Sequence, residues 1–263
     1  MTATPERATI FIDADNTLWD TDSVFAQAQL ALLAAVEGRL ARRTLGEDRL
    51  AFIRAIDQAL AQRHHAGLRY PPRLLVRGAE LALCGASAED AARGAWRGNH
   101  SYQIAEDAAG EIETEFFAAL GSAPALRPGV AEGLQALEAA GYLLLVVTEG
   151  AKPKVERNAE RLGLRGHFDR IVEGPKAPAL YRRVLTLTGA PSRAFMVGDQ
   201  LDRDIVPART AGLQTIYFPG GFTPVWAPSA ETVLPDYIIE SFAEVPAIIE
   251  AELAGNLCSF AAD

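Results

Sequence analysis

The feature that most constrains the fold is a regular alternation of short apolar segments with helical segments from Arg127 onward. The apolar segments read YLLLVVT, FDRIVE, RAFMVGD, LQTIYF and DYIIE, and amphipathic sequences such as PKVERNAERLGL separate them. Strands that alternate with helices are typical of βαβ units, whose right-handed crossovers build a parallel sheet. We therefore predict an α/β protein with a doubly wound, mainly parallel, Rossmann-like sheet.

One further strand is predicted far from the others, at TIFI (Thr9–Ile12), because it is rich in β-branched and aromatic residues. Asp13 and Asp15 follow it directly, although aspartate is a poor residue to extend a strand. This segment alone allows two interpretations. The strand ends in a turn, where Asp and Asn side chains accept backbone hydrogen bonds, or it carries a charged site at its carboxyl end, where open α/β sheets bind ligands.

The stretch between this strand and the alternating region is predicted to be helical. It is rich in Ala, Leu, Glu and Arg, and its apolar residues recur at helical spacing, as from Leu50 to Ile53. GLRYPPR and CGASAED interrupt it, so we expect roughly four or five helices. The predicted organisation is an α/β core formed by residues 1–20 and 126–263, with an inserted helical domain over residues 21–125.

Composition narrows the set of partners. The chain has 263 residues, a net charge of −9 and no basic tract, which argues against a nucleic-acid or anionic membrane surface. Its longest apolar runs, such as YLLLVV, are too short to span a bilayer. The only cysteines, Cys84 and Cys258, lie far apart, so we expect reduced thiols and a cytoplasmic location. The apolar excess of the inserted helices would allow a homodimer.

Polar residues follow four of the predicted strands, and the carboxyl ends of parallel strands share one edge of a sheet. These residues are Asp13, Asp15, Thr148, Glu149, Lys176, Asp199, Asp202 and Asp204. The five aspartates among them cannot all stay ionised beside one ammonium group unless a cation joins them. Carboxylate oxygens suit Mg²⁺, which keeps coordination positions free for substrate phosphate oxygens. The sequence therefore predicts a magnesium site that accepts a phosphate.

These residue types support phosphoryl transfer. A carboxylate attacks phosphorus to form an aspartyl-phosphate, the covalent route of aspartate nucleophiles. A second carboxyl two residues along a strand points to the same side, where it would protonate the leaving oxygen and then activate water. A hydroxyl, backbone amides and a lysine would hold the equatorial phosphate oxygens, on which charge collects in the transition state.

In this order, DADNTL, Thr148, Lys176 and GDQLDRD resemble the four-motif signature of the haloacid dehalogenase superfamily, specifically its phosphatase-type members. That signature is Asp-x-Asp-x-Thr, then Ser or Thr, then Lys, then Gly-Asp followed by another Asp. The resemblance covers the predicted core, residues 8–20 and 126–250. It implies a Mg²⁺-dependent phosphomonoester hydrolase that acts on a small phosphorylated metabolite through an aspartyl-phosphate.

The resemblance also implies a role for each residue. Asp13 is the expected nucleophile and Asp15 the general acid and base. Thr148 and Lys176 are the phosphate-binding residues that the resemblance implies, and Glu149, next to Thr148, is a further candidate for this role. The expected metal ligands are Asp13, Asp15 through its backbone carbonyl, Asp199 and Asp204. The inserted helices resemble the helical cap of the family, which selects the substrate.

Some positions depart from the family pattern. Glu149 stands where a neutral residue is common, so a contact with substrate or water and an outward-facing loop glutamate are both open. Arg203 replaces a frequent Asn and is predicted to be a solvated charge. Asp202 is ranked below Asp204 as a residue that supports the metal.

Alternatives on the same core remain open. In a haloacid dehalogenase the aspartate attacks carbon, but displacement of halide needs neither an acid nor a metal, so Asp15 argues against it. A phosphotransferase or mutase would keep the same residues. A non-catalytic receiver-like module also gathers acids and a lysine at a sheet edge and retains its phosphoryl group, but the long helical insertion counts against it.

Overall fold

The chain forms two compact units in a computed structural model that describes residues 8–46, 48–63, 70–189 and 193–257. The first, the α/β unit, comprises Met1–Asp22 and Ala123–Asp263. The second, the helical unit, comprises Ser23–Ser122.

Eight strands occur in the described part of the chain. In chain order they are β1 (Thr9–Ile12), β2 (Trp19–Asp20), β3 (Ala125–Leu126), β4 (Leu143–Thr148), β5 (Arg170–Glu173), β6 (Ala194–Gly198), β7 (Gln214–Tyr217) and β8 (Tyr237–Ile238). Six of them form one parallel sheet in the order β5-β4-β1-β6-β7-β8, and β2 and β3 form a separate antiparallel pair. The predicted parallel α/β sheet is confirmed.

The first strand occupies the centre of this sheet. Phe11 is in register with Leu145 of β4 on one side and with Met196 of β6 on the other. All four residues of β1 are buried, and the last three are apolar, which is typical of a parallel strand covered on both faces. After β1, the chain forms β4 and β5 on one side of this strand and then crosses to form β6 on the other side. The strand order therefore reverses next to β1, and open α/β sheets bind ligands at the carboxyl ends of strands at such a switch point.

Eleven α-helices occur in the described residues. They are α1 (Thr21–Leu40), α2 (Arg49–Arg63), α3 (Pro72–Leu83), α4 (Ala88–Arg97), α5 (Glu106–Leu120), α6 (Val130–Ala139), α7 (Lys152–Arg161), α8 (Pro178–Leu187), α9 (Val206–Thr210), α10 (Ala230–Val233) and α11 (Val245–Leu257). A single π-helical turn, Leu201–Ile205, precedes α9.

The helical unit contains α2 to α5 and almost all of α1, and the prediction of helix over this stretch is confirmed. Its apolar core includes Leu33, Ile53 and Val76, which are 0% exposed. The break between α4 and α5 was not predicted. It occurs because Gly98 adopts a left-handed conformation (φ 63°), which ends α4 and which a side chain would disfavour.

The structure also bears on the expectations about membrane-spanning segments and cysteines. Within the described ranges, no helix is both long and apolar enough to cross a membrane. Cys84 is an exposed free thiol, and Cys258 lies outside the described residues.

Candidate active site

Three aspartates and one lysine meet at the carboxyl edge of the sheet. Asp13 follows β1, Asp199 follows β6, and Asp204 lies in the π turn. All three are buried, and one carboxylate oxygen of each lies within 4.8 Å of the others. The Lys176 ammonium group, from the loop before α8, donates to Asp13 Oδ1 and, at 2.5 Å, to Asp204 Oδ1. The structure thus brings together four residues that lie far apart in the sequence, between positions 13 and 204.

The π turn explains the spacing between Asp199 and Asp204. The backbone amides of Asp204 and Ile205 both donate to the Gln200 carbonyl, at 2.8 and 3.3 Å. In return, the Gln200 amide donates to Asp204 Oδ2 at 2.9 Å. A Cβ atom added at Gly198 would lie 2.4 Å from Asp204 Cβ, so only glycine leaves room for this carboxylate.

The electrostatics of the cluster are unbalanced. Burial raises the pKa of Asp13 to about 7, with repulsion from Asp204 in the same direction and the Lys176 ammonium opposing it. Burial likewise raises the pKa of Asp199. Burial works against the charge on Lys176, but attraction to Asp13 and Asp204 outweighs it and raises the pKa of that lysine. One cation therefore faces three carboxylates.

The cluster fits a divalent cation. Asp199 Oδ1 is buried and has no hydrogen-bond partner among the described residues. An unpartnered buried carboxylate oxygen costs free energy unless a cation or donor meets it. The donor set of Asp13, Asp199 and Asp204 consists of hard oxygen ligands, as Mg²⁺ prefers.

Asp15 lies outside the three-carboxylate group. Its Oδ1 accepts a hydrogen bond from the Trp19 indole at 2.9 Å. Its Oδ2 faces the end of β4: a Cβ atom added at Gly150 would lie 3.8 Å from Asp15 Oδ2 and 3.3 Å from Thr148 Oγ1. The Asp15 carboxyl group is therefore turned towards the predicted phosphate-binding hydroxyl, and its backbone carbonyl as a metal ligand stays a prediction.

Thr148 and Glu149 end β4 in different surroundings. Thr148 is buried, and its hydroxyl accepts the Gly150 amide at 3.0 Å. Glu149 Oε1 accepts the Lys176 backbone amide at 3.0 Å, and its Oε2 pairs with the Arg203 guanidinium. Both Glu149 oxygens therefore have partners, and a carboxylate repels phosphate, which argues against the predicted phosphate contact of Glu149.

The side chains of the π turn differ in their exposure and in their partners. Arg203 is exposed, as predicted for a solvated charge, and it also pairs with Glu149, because the turn brings its side chain to the end of β4. Asp202 is exposed, whereas Asp204 is 0% exposed.

Two residues at this edge were missed by sequence reasoning. Trp19, which holds the Asp15 carboxylate, lies only four positions after it, so the tight turn DNTLW is a signal that could have found it. Arg127 donates to backbone carbonyls 111, 91 and 92 residues away, and no sequence pattern points to these partners.

Fold and site together define a Rossmann-like α/β protein with a buried acidic cluster at the switch point of its sheet. The profile of the haloacid dehalogenase-like hydrolase family matches residues 8–212, and the chain belongs to this family.

Individual relatives agree with this assignment. The chain is 34% identical over 131 residues to the phosphoglycolate phosphatase of Agrobacterium fabrum, a match that covers 47% of this chain and 54% of that protein. It is 32% identical over 101 residues to the glyceraldehyde 3-phosphate phosphatase of Pyrococcus furiosus, covering 36% of this chain and 42% of that protein. The matches thus span about half, or less, of the length of these relatives.

A solved structure extends the similarity to nearly the whole chain. The haloacid dehalogenase-like family hydrolase from Xanthomonas campestris superposes with a TM-score of 0.61, over 95% of this chain and 99% of that one. Its sequence identity is 23%, so this likeness establishes the shared fold.

Proposed function

We propose that the protein is a Mg²⁺-dependent phosphomonoester hydrolase that acts on a small phosphorylated metabolite through an aspartyl-phosphate. The observation that carries the proposal is the buried cluster of Asp13, Asp199 and Asp204 around a single Lys176, with Asp199 Oδ1 unpartnered. A structural cluster would balance its charges, whereas this one holds a surplus of negative charge that a cation would offset.

In the proposed reaction, an Asp13 oxygen attacks phosphorus and the bond from phosphorus to the ester oxygen breaks. Asp15 gives its proton to that leaving oxygen, so an alcohol departs. Asp15 then takes a proton from water, which attacks the aspartyl-phosphate and releases inorganic phosphate and free Asp13. The hydrogen bond from Trp19 supports this assignment, because it orients the Asp15 carboxyl group and leaves Oδ2 free to exchange the proton.

The phosphate oxygens need positive charge and donors in this scheme. Lys176 and the Thr148 hydroxyl would supply them, and the contact from the Glu149 carboxylate to the Lys176 backbone would hold the lysine loop in place. Asp13, Asp199, Asp204 and the Asp15 carbonyl would hold a divalent cation, which would supply the charge that keeps the carboxylates ionised and neutralises the phosphate.

The names of the relatives suggest the substrate class. Phosphoglycolate and glyceraldehyde 3-phosphate are both phosphomonoesters of very short carbon chains. Within the proposal, residues 1–20 and 126–263 act as the catalytic core, and residues 21–125 act as a cap that selects the substrate. The net charge of −9 argues against nucleic-acid or anionic membrane partners, and a cytoplasmic location and a homodimer stay predictions.

The test is phosphate release from phosphoglycolate, glyceraldehyde 3-phosphate and an aryl phosphate, with Mg²⁺ and then with EDTA. We expect Mg²⁺-dependent turnover that falls by about four to six orders of magnitude in Asp13→Asn, since a nucleophile cannot be replaced by its neighbours. Asp15→Asn should lose most of the activity, and the matched control Asp202→Asn, an exposed aspartate of the π turn, should keep it.

Other outcomes decide between the alternatives. Halide release from 2-haloacids without metal would identify a dehalogenase. A phosphoprotein that forms from an acyl-phosphate donor and does not turn over would identify a receiver-like module. Transfer of phosphate to a second alcohol, with no net release, would identify a phosphotransferase or mutase.

A further inference from the structure

The half-buried side chain of Arg127 joins two loops at the carboxyl edge of the sheet. Its guanidinium group donates to the carbonyls of Asn16, Phe218 at 3.3 Å and Pro219 at 2.7 Å. It also stacks on the Phe218 ring, with 3.7 Å between the guanidinium carbon and the ring centroid. A planar fork of donors is suited to such a set of carbonyls, and a lysine ammonium is not.

The first of these loops is the turn that carries both predicted catalytic aspartates. Asn16 lies between Asp15 and Thr17, and it has a left-handed backbone (φ 64°), which asparagine tolerates because its side chain bonds locally, here by accepting the Asp22 amide at 2.8 Å. The carbonyl that Arg127 holds belongs to this residue at the sharpest point of the turn. The Arg127 backbone amide holds the same turn, because it donates to the Leu18 carbonyl at 3.1 Å.

The second loop follows β7 and closes the metal side of the site. A Cβ atom added at Gly220 would lie 3.1 Å from Asp199 Oδ2 and 3.4 Å from Asp22 Oδ2. The Phe222 amide donates to Asp22 Oδ2 at 2.9 Å, and Asp22 Oδ1 accepts the side-chain amide of Asn16 at 3.0 Å. The two loops thus contact each other through Asp22 and are joined a second time by Arg127.

We propose that Arg127 is a positioning residue of the active site: by bridging these two loops, it holds the turn in the conformation that sets Asp13 and Asp15 against Asp199. This rests on the proposed function, since it assigns the turn a catalytic purpose. The Arg127 side chain directs its hydrogen bonds to backbone carbonyls of the two loops and makes none to the carboxylates of the cluster. Its charge also attracts Asp199 at longer range, and Arg127→Lys keeps that charge while it removes the fork of donors. Misplacement of catalytic groups by about 1 Å lowers rates by about a hundredfold, so such a residue has a measurable effect.

The kinetic test compares Arg127→Met and Arg127→Lys with the wild type. We expect kcat for phosphate release to fall by about ten- to a hundredfold in Arg127→Met, with a much smaller change in KM, because the substrate contacts themselves remain. Arg127→Lys should stay close to Arg127→Met, since a lysine keeps the charge but not the planar fork. The matched control is Arg209→Met, which removes an exposed arginine that donates to the carbonyls of Val233 and Leu234 and should not change kcat.

A second readout does not depend on activity. Trp19 is fully buried and donates to Asp15, whereas Trp96 and Trp226 are exposed and can be replaced by Phe. In the variant with both of these replaced, Trp19 is the only tryptophan left, and its fluorescence emission reports the conformation of the turn. We expect a red shift in Arg127→Met, together with faster amide hydrogen exchange in residues 13–22 and 218–222 and unchanged exchange in β4.

The outcomes separate cleanly. Wild-type kcat in Arg127→Met, full recovery of kcat in Arg127→Lys, or equal acceleration of exchange in β4 would each overturn the proposal. If Arg127→Met does not fold, Arg127→Lys decides alone, with low kcat as the supporting result and wild-type kcat as the opposing one. If the wild type releases no phosphate, the proposed function has failed, and Trp19 emission and exchange still decide whether Arg127 holds the turn.

Discussion

The helical unit and the α/β unit bury ionisable side chains in opposite ways. In the helical unit, Arg77 and Glu80 are 5% and 2% exposed and pair with each other at 3.1 Å. Glu37 is likewise paired with Arg49 and accepts two hydrogen bonds from Thr44. Each of these buried carboxylates has a cation and backbone or hydroxyl donors, so the arrangement is complete without a ligand.

The α/β unit leaves its buried carboxylates undercompensated. Three aspartates share the ammonium of Lys176, and one Asp199 oxygen has no partner among the described residues. Burial of charge alone therefore does not mark a functional site. A surplus of one sign, held in place by the fold, does so, since the free-energy cost persists unless a ligand offsets it.

The largest expected effect on stability comes from breaking the buried ion pair of the helical unit. Glu80→Gln should lower the free energy of unfolding by about 3 kcal/mol, because Glu80 is the buried one of the two carboxylates that pair with Arg77, and the other, Glu106, is 75% exposed. Denaturant unfolding measures this change. Glu111→Gln, which removes an exposed ion pair with Arg39, is the control and should change stability by less than about 1 kcal/mol. Equal effects of the two substitutions would show that the buried pair is not special.

The same type of substitution in the unbalanced region should behave differently. Asp199→Asn should not destabilise the protein in EDTA, because it removes a surplus charge whose Oδ1 makes no hydrogen bond. It should abolish the stabilisation by Mg²⁺, which amounts to about 2.7 kcal/mol for the wild type at a hundred times Kd. Thermal unfolding with and without Mg²⁺ tests both parts, with Asp202→Asn as the control. An undiminished Mg²⁺ shift in Asp199→Asn would remove this residue from the metal site.

The pH dependence of stability should also have opposite signs for buried carboxyl groups of the α/β unit and of the helical unit. The pKa of Asp13 is about 7 in the folded protein, above its ordinary value of 3.8, so the folded state holds a proton that the unfolded state has lost. Its contribution to stability is therefore present at acid pH and is lost as pH rises through 7, by at most about 1.4 kcal/mol per pH unit.

Glu37 has the opposite sign, because the hydrogen bonds from Thr44 and the pairing with Arg49 outweigh burial and lower its pKa below 4.5. Its contribution is lost only as pH falls below that value. In EDTA, the wild type should therefore lose stability relative to Asp13→Asn between about pH 4 and about pH 7, the interval between the unfolded and folded pKa values of Asp13. Parallel stability curves for the two proteins would rule out the raised pKa.

The smallest expected effect is that of the Glu149–Arg203 pair, whose side chains are 28% and 45% exposed. Exposed ion pairs contribute little, so Glu149→Gln should change kcat/KM by less than about fivefold. The control is Glu156→Gln on α7, which loses a 3.8 Å pair with Lys152. A loss as large as that of Asp15→Asn would instead indicate that Glu149 contacts the substrate.

Much of the site could be predicted because it depends on strand ends. Asp13 and Asp199 follow β1 and β6, Thr148 is the last residue of β4, and parallel neighbours bring these strand ends together whatever the loops do. The family profile agrees with the motifs that pointed to these positions. The strands β2 and β3 escaped prediction because each is two residues long, too short to show alternation.

The sequence by itself determined the parallel sheet, the helical stretch and the residues delivered to the sheet edge, because hydrophobic periodicity and chain order carry that information. Only the tertiary structure decided which side chains these residues meet. The pairing of Glu149 with Arg203, and the bonds from Arg127 to carbonyls 111, 91 and 92 residues away, depend on how loops pack. A long-range side-chain contact leaves no period in the sequence, since its partners are set by three-dimensional proximity rather than by spacing along the chain.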